Sequence, residues 1–173
     1  LTADRGYYGA PFSPEGQPRV LVAHSFGLHL LESRWLERVA LVVVLGGFQV
    51  FHPEEEEAGR RSRRLVGRMR QRLDREPDTL LADFRARCFF PEPGQYVSSG
   101  RADLELLAAD LEGLDVQALD LHALSAVPRV LFLHGEQDQI VPVERAQALH
   151  RQLPKSRLEL IAGAGHALPF TRT

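Results

Sequence analysis

The segment Ala23-His24-Ser25-Phe26-Gly27 most constrains the fold, because it sets a serine between an apolar run, 20–22, and a segment that can be helical, 28–32. A serine at a sharp strand-to-helix turn is presented for nucleophilic attack, and the strained turn favours small flanking residues. Ala23 and Gly27 meet that requirement. Taken alone, the five residues predict only a tight turn after a strand.

Two further apolar runs precede loops that carry a titratable residue. Run 130–133 is followed by a loop containing Asp138, and run 158–161 is followed by a glycine-rich loop ending at His166. Open α/β sheets place their sites beyond the carboxyl ends of the strands. Together, Ser25, His166 and Asp138 predict a nucleophile, its general base and the acid that orients the base. Considered singly, Asp138 is equally well a turn or helix-capping residue, and His166 a surface-loop histidine.

Four continuous apolar runs, 20–23, 40–45, 130–133 and 158–161, predict strands of a parallel sheet covered on both faces. Helices predicted at 27–38 and 143–153 alternate with these strands, as α/β proteins require. The fold class is therefore α/β.

The stretch 51–126 interrupts this alternation and predicts a helical cap, or lid, inserted between strands of a core formed by 1–50 and 127–173. Its helices are predicted at 61–75, 78–88 and 102–111. A cap of this kind would roof the substrate pocket and exclude water.

Arginines recur at three- and four-residue steps along the first cap helix, and among them are Arg60, Arg64, Arg68 and Arg72. Residues at this spacing share one helix face. Two interpretations stay open: a solvated face balanced by the glutamates at 54–57, or a docking face for an acidic partner or a phosphate.

Composition excludes several function classes. The net charge of −2 creates no global field that would attract nucleic acid or a membrane surface. Cys88 is the single cysteine, so no intrachain disulfide can form, and the absence of long apolar runs favours the cytoplasm. The histidines lack the spacing of metal ligands, so we expect no metal or other cofactor.

Both ends of the chain are short for such a sheet, since few residues precede the first predicted strand. We therefore expect an N-terminally incomplete sheet whose edge at 20–22 is apolar and unpaired. A second copy of the chain, forming a homo-oligomer, would also cover that edge.

The order Ser25, Asp138, His166 resembles that of the α/β-hydrolase superfamily. The resemblance implies a Ser-His-Asp triad and an oxyanion hole that includes the backbone N–H of Phe26. Within the superfamily, residues 48–53 and the arginine-rich helix resemble the esterases of biotin synthesis, which cleave the methyl ester of pimeloyl-acyl-carrier protein. That likeness implies that Arg60, Arg64, Arg68 and Arg72 contact the acidic carrier protein. His24 and Phe48 are further candidates for substrate binding, and the alternative for His24 is a buried, satisfied histidine of the pocket wall.

The leading functional hypothesis is a serine carboxylesterase acting on a small ester or a carrier-bound ester. A lipase, a thioesterase or a C–C hydrolase would use the same triad, and fold alone does not choose among them. From another class comes a non-catalytic module that binds a carrier protein. Haloalkane dehalogenases and epoxide hydrolases are disfavoured, because they carry aspartate where this chain has Ser25.

Overall fold

The computed structural model describes residues 3–13, 15–94 and 100–170. Within them, four strands pair in parallel to form one sheet in the order β1-β2-β3-β4. The strands are β1 Val20–His24, β2 Leu41–Leu45, β3 Val130–Gly135 and β4 Arg157–Ile161. The four predicted strands and the α/β class are confirmed.

Five α-helices accompany the sheet in the described part of the chain: α1 Glu56–Arg75, α2 Pro77–Phe89, α3 Leu104–Val116, α4 Leu121–Ser125 and α5 Val143–Gln152. The helices predicted at 61–75, 78–88, 102–111 and 143–153 are confirmed. The helix predicted at 27–38 is wrong, since this stretch forms two short 3₁₀ helices, Ser25–Leu28 and Ser33–Trp35. Gly27 and His29 are weak helix formers, in agreement with this difference.

The core packs on the face of β2 that carries Val42 and Val44, both fully buried, whereas Leu41, Val43 and Leu45 on the other face are partly buried. Strand β1 is different: Leu21 and Ala23 are buried, whereas Val20 is 54% and Val22 62% exposed. The expectation that every strand is covered on both faces is therefore wrong for β1 within the described residues. A second copy of the chain covering this edge stays a prediction.

The chain divides into two compact units. The larger contains the sheet and comprises Gln17–Phe51, Phe84–Gly94 and Gln117–Thr173. The smaller comprises Leu1–Gly16, His52–Asp83 and Gln95–Val116. The predicted division into a core, 1–50 and 127–173, and a cap, 51–126, differs from these units in four places: 1–16, residue 51, 84–94 and 117–126. The cap as a functional lid stays a prediction.

In the smaller unit, buried His52 links helices α1 and α3. Its Nδ1 lies 2.8 Å from Ser62 Oγ on α1, and its Nε2 lies 2.8 Å from Asp115 Oδ1 on α3. Although this is a second Ser-His-Asp set, Ser62 lies inside an α-helix, where neighbouring N–H groups bond within the helix. No backbone donor is available there for an oxyanion, so we interpret the set as a structural tie.

Candidate active site

Ser25 occupies a strained turn at the carboxyl end of β1. The strand ends at His24, a 3₁₀ helix begins at Ser25, and Ser25 has a φ of 54°. A positive φ is costly for a residue with a side chain and is concentrated at functional sites. The predicted sharp turn is confirmed. The expected need for a small residue at Gly27 is not, since a Cβ added there would meet no atom within 4 Å.

The structure brings Ser25, His166 and Asp138 together from three separate loops. Ser25 Oγ lies 3.0 Å from His166 Nε2, and His166 Nδ1 lies 2.7 Å from Asp138 Oδ2. Because a carboxylate only accepts, Nδ1 carries the proton, which leaves Nε2 able to accept the serine hydroxyl proton. The His166 ring is buried, with 2% of the residue exposed. This is the arrangement that activates a serine as a nucleophile.

The Asp138 carboxylate is held by four groups. Oδ1 accepts the backbone N–H groups of Ile140 and Val141, both at 2.8 Å, and Oδ2 faces the rings of His166 and His134. Burial alone would raise the pKa of Asp138, but the hydrogen bond and charge of His166 and the two backbone donors outweigh it and lower that pKa. Asp138 therefore stays ionised, as the partner of an imidazolium must.

His24, a predicted substrate-binding residue, contacts the loop that carries His166. Its Nε2–H donates to the His166 carbonyl oxygen at 2.9 Å, and the two ring centroids lie 4.8 Å apart. Burial, with a smaller contribution from nearby His166, lowers the pKa of His24 from 6.5 to about 4. The ring is therefore neutral at neutral pH, and its N–H holds the backbone carbonyl of His166. Substrate contact by His24 stays a prediction.

This pKa predicts a pH-dependent stability. The unfolded chain protonates His24 below its ordinary pKa of 6.5, whereas the folded chain does so only near 4. The contribution is therefore complete above pH 6.5 and is lost as pH falls toward 4. Between pH 7 and 4.5 we expect His24 to remove about 2 kcal/mol from the free energy of unfolding.

Urea unfolding of the wild type and of His24→Gln at both pH values measures this contribution, since glutamine keeps a donor but does not titrate. The pH-dependent decrease should be smaller in the variant. An equal decrease in both proteins would contradict the assigned environment of His24.

The loop of His166 is also fixed by the end of α2. The N–H of Ala167 donates to the Cys88 carbonyl oxygen at 2.8 Å. A Cβ on Gly165 would lie 1.8 Å from the Phe90 carbonyl oxygen, so only glycine fits this close approach. Burial raises the pKa of the Cys88 thiol to about 12, which makes it unreactive at neutral pH. The end of α2 thus holds the loop of His166 through its backbone.

Gly46 is a further residue of the site that the sequence analysis missed. It follows β2 directly with a φ of 57°, and a Cβ there would lie 3.2 Å from both Cε1 and Nδ1 of His166. Glycine at this position lets the His166 ring pack against the end of β2. The position of Gly46 directly after a predicted strand, like that of Ser25, is the sequence signal that would have identified it.

Aromatic rings surround the residue after the serine. Phe26 stacks on His29 at 5.1 Å between ring centroids, and Phe48, 1% exposed, lies 6.5 Å from Phe26. Within the described residues the Phe26 N–H makes no hydrogen bond, so it is available to a bound oxyanion. Substrate binding by Phe48 stays a prediction.

Comparison with known proteins agrees with this geometry. The model of a family described as "Alpha/beta hydrolase family" matches residues 2–172. The chain belongs to the α/β-hydrolase family. Searching curated protein sequences gave no significant match.

Solved α/β-hydrolase structures share the fold at low sequence identity. An esterase from Exiguobacterium antarcticum has a TM-score of 0.71 and 20% identity, over 86% of this chain and 60% of its own. A bromoperoxidase from Bacillus anthracis has a TM-score of 0.66 and 18% identity, over 95% of this chain and 74% of its own. A thermophilic esterase from Thermogutta terrifontis has a TM-score of 0.62 and 24% identity, over 87% of this chain and 58% of its own. The chain thus spans about three fifths of the length of these two esterases.

The four predicted cap arginines divide into two pairs. Arg60 and Arg72 are engaged in ion pairs, Arg60 with Glu56 and Arg72 with Glu76 and Asp83. Arg64 and Arg68 are exposed, and neither forms an ion pair with another described residue. Of these four arginines, Arg64 and Arg68 therefore carry charge that no described carboxylate neutralises.

The described part of the chain holds neither a cluster of metal-ligating side chains nor a helix able to cross a membrane. There, no three His, Cys, Asp or Glu side chains are grouped so as to hold a metal ion. Among the same residues, no helix combines the length and the apolar character needed to span a membrane.

Proposed function

We propose that this α/β-hydrolase is a serine carboxylesterase that works through an acyl-enzyme. The single observation that carries the proposal is the hydrogen-bonded chain from Ser25 through His166 to Asp138, at 3.0 and 2.7 Å, with its serine on a strained strand-to-helix turn. Matches to esterase structures support the fold that this chemistry uses.

In the first half-reaction, Ser25 Oγ attacks the ester carbonyl carbon while His166 Nε2 takes the hydroxyl proton. The oxygen that becomes negative accepts a hydrogen bond from the Phe26 N–H. The bond to the alcohol oxygen then breaks, and His166 returns its proton to the departing alcohol. Asp138 stabilises the imidazolium throughout.

In the second half-reaction, water replaces the alcohol. His166 takes a proton from the water, whose oxygen attacks the acyl carbon, and collapse of the intermediate breaks the bond to Ser25. His166 returns its proton to Ser25 Oγ, which regenerates the serine hydroxyl, and the carboxylic acid leaves. A thioesterase or lipase would follow the same steps with another leaving group.

Hydrolysis of short-chain p-nitrophenyl esters by the purified chain tests this proposal. We expect turnover in proportion to the amount of active protein. The variant Ser125→Ala, a change on the surface of α4, should have the same turnover as the wild type. A folded protein that binds an acyl-carrier protein but hydrolyses no oxygen ester or thioester would favour the non-catalytic binding module instead.

For the substrate, we propose an ester carried by an acidic acyl-carrier protein, such as the methyl ester of pimeloyl-acyl-carrier protein. Exposed Arg64 and Arg68 support this, because guanidinium groups without an ion-pair partner attract an acidic surface. Arg60 and Arg72 contribute less, since carboxylates of the chain already neutralise them.

Reversing these two charges, as Arg64→Glu with Arg68→Glu, should lower kcat/KM for a carrier-bound ester by about tenfold or more at low salt. Hydrolysis of a small free ester should not change, because no acidic partner has to approach. The loss should decrease as salt rises, since exposed charges are screened. Stopped-flow or steady-state assays at several ionic strengths measure both effects.

The matched control reverses two exposed arginines of the larger unit, Arg19→Glu with Arg151→Glu, and so changes the net charge equally. If this control loses as much carrier-bound activity as the α1 variant, global charge is responsible and the docking face on α1 is wrong. Loss of small-ester activity in the α1 variant would instead indicate a damaged fold.

A further inference from the structure

A histidine outside the proposed triad lies against the Asp138 carboxylate. His134 is the penultimate residue of β3 and is fully buried, with 0% exposed. Its Nε2 lies 2.8 Å from the Val141 carbonyl oxygen and 3.5 Å from Asp138 Oδ2. The steps proposed above give it no role.

The contact with Val141 fixes the tautomer of His134. A carbonyl oxygen only accepts, so Nε2 must carry the proton. The other ring nitrogen, Nδ1, is buried without a hydrogen-bond partner among the described residues. Burial lowers the pKa of His134, so the ring is neutral. An unpaired buried nitrogen is unfavourable for stability, and an apolar ring of similar size would avoid it.

The same N–H closes a ring of contacts around the catalytic acid. His134 holds the carbonyl of Val141, and the N–H of Val141 in turn donates to Asp138 Oδ1 at 2.8 Å. Ile140 adds a second donor to Oδ1, while Oδ2 is left facing His166 and the His134 ring. The orientation of the carboxylate thus depends on where Val141 is held, and His134 holds it.

We propose that His134 is a positioning residue that, through the N–H it donates to the Val141 carbonyl, aims the Asp138 carboxylate at His166. This inference rests on the proposed function in its effect on turnover. His134, a buried hydrogen-bond donor that precedes Asp138 in the sequence, thus joins the groups on which the triad depends. Its geometric part, the dependence of the His166–Asp138 hydrogen bond on His134, holds with or without turnover.

Two substitutions distinguish the effect of the His134 hydrogen-bond donor from the effect of its side-chain volume. His134→Gln places an amide N–H as far from the backbone as Nε2 and keeps the donor, whereas His134→Phe fills the space and removes it. We expect His134→Phe to lower kcat for a short-chain p-nitrophenyl ester by about 10- to 100-fold with KM little changed, since small misplacements of catalytic groups cost that much. His134→Gln should recover most of the loss.

The proton on His166 Nδ1 gives a second readout that needs no turnover. Held between His166 and Asp138, it should give a separate downfield proton resonance in the NMR spectrum of the wild type. That resonance should persist in His134→Gln and broaden or vanish in His134→Phe. Phe132→Leu, another buried change on β3, is the control for general loosening and should keep it. If His134→Phe does not fold, His134→Met takes its place.

The two readouts keep the hypotheses distinct. Equal losses of kcat in both His134 variants with the resonance intact, or no loss in either, would overturn the role of His134 while the esterase proposal stands. A wild type that hydrolyses no ester would overturn the esterase proposal, and the resonance would still decide whether His134 positions Asp138.

Discussion

Ser25→Ala should lower kcat for short-chain p-nitrophenyl esters by roughly 10⁴- to 10⁶-fold, to the level of the residual catalysis that binding and an oxyanion donor supply. The physical reason is that the hydroxyl 3.0 Å from His166 Nε2 is the atom that forms the acyl-enzyme. Alanine removes it with almost no change of volume. KM should change little, because the hydroxyl reacts with the ester rather than holding it.

Stability should not decrease in this variant, and thermal unfolding measures it beside activity. Ser25 has a φ of 54°, a strained conformation that alanine shares, so neither side chain is favoured by the backbone. The matched Ser125→Ala variant should keep full activity. If Ser25→Ala retained more than a few per cent of kcat, another nucleophile would be at work.

Asp138→Asn should lower kcat by roughly 10³- to 10⁴-fold. Asparagine can keep the two hydrogen bonds from Ile140 and Val141 by placing its single oxygen at the Oδ1 position. Its NH₂ group then faces His166 Nδ1, which must accept instead of donate. The proton moves to His166 Nε2, and the ring can no longer take the proton of Ser25.

The control is Asp74→Asn, on an exposed position of α1, which should leave kcat unchanged. Steady-state kinetics and circular dichroism on both variants distinguish a wrong tautomer from unfolding. Full activity in a folded Asp138→Asn protein would remove Asp138 from the mechanism.

The sequence was most informative about the sheet and the chain order of the site. Runs such as 40–45 and 130–133 are continuous and apolar, a pattern that buried parallel strands require, and the structure confirms them. Because parallel strands end at one edge, the sequence predicts that residues placed just beyond them, Ser25, Asp138 and His166, meet there. Their hydrogen bonds agree with that expectation.

Contacts between distant segments were beyond the reach of sequence patterns. The approach of Phe90 to Gly165 joins residues far apart in the chain, and no local periodicity marks it. The ion pair between Arg72 and Asp83 crosses from α1 to α2 and likewise depends on how helices pack. By contrast, Arg60 and Glu56 stand four residues apart, so their pairing was readable from helical spacing.

His134 illustrates a different limit. Its place at the end of a strand was visible, but its role depends on the turn at 138–141 folding back so that a carbonyl meets the ring. Sequence alone leaves a histidine on an apolar strand indistinguishable from a core residue. Only the tautomer that the structure imposes connects it to Asp138.

The most direct test of the account is the site at which a fluorophosphonate probe attaches to the protein. Peptide mass spectrometry after labelling should locate one adduct on Ser25, formed in the wild type and absent from His166→Ala, which lacks the base that activates the serine. An adduct on a different residue, or an unlabelled Ser25 in a protein that still hydrolyses esters, would contradict the central claim.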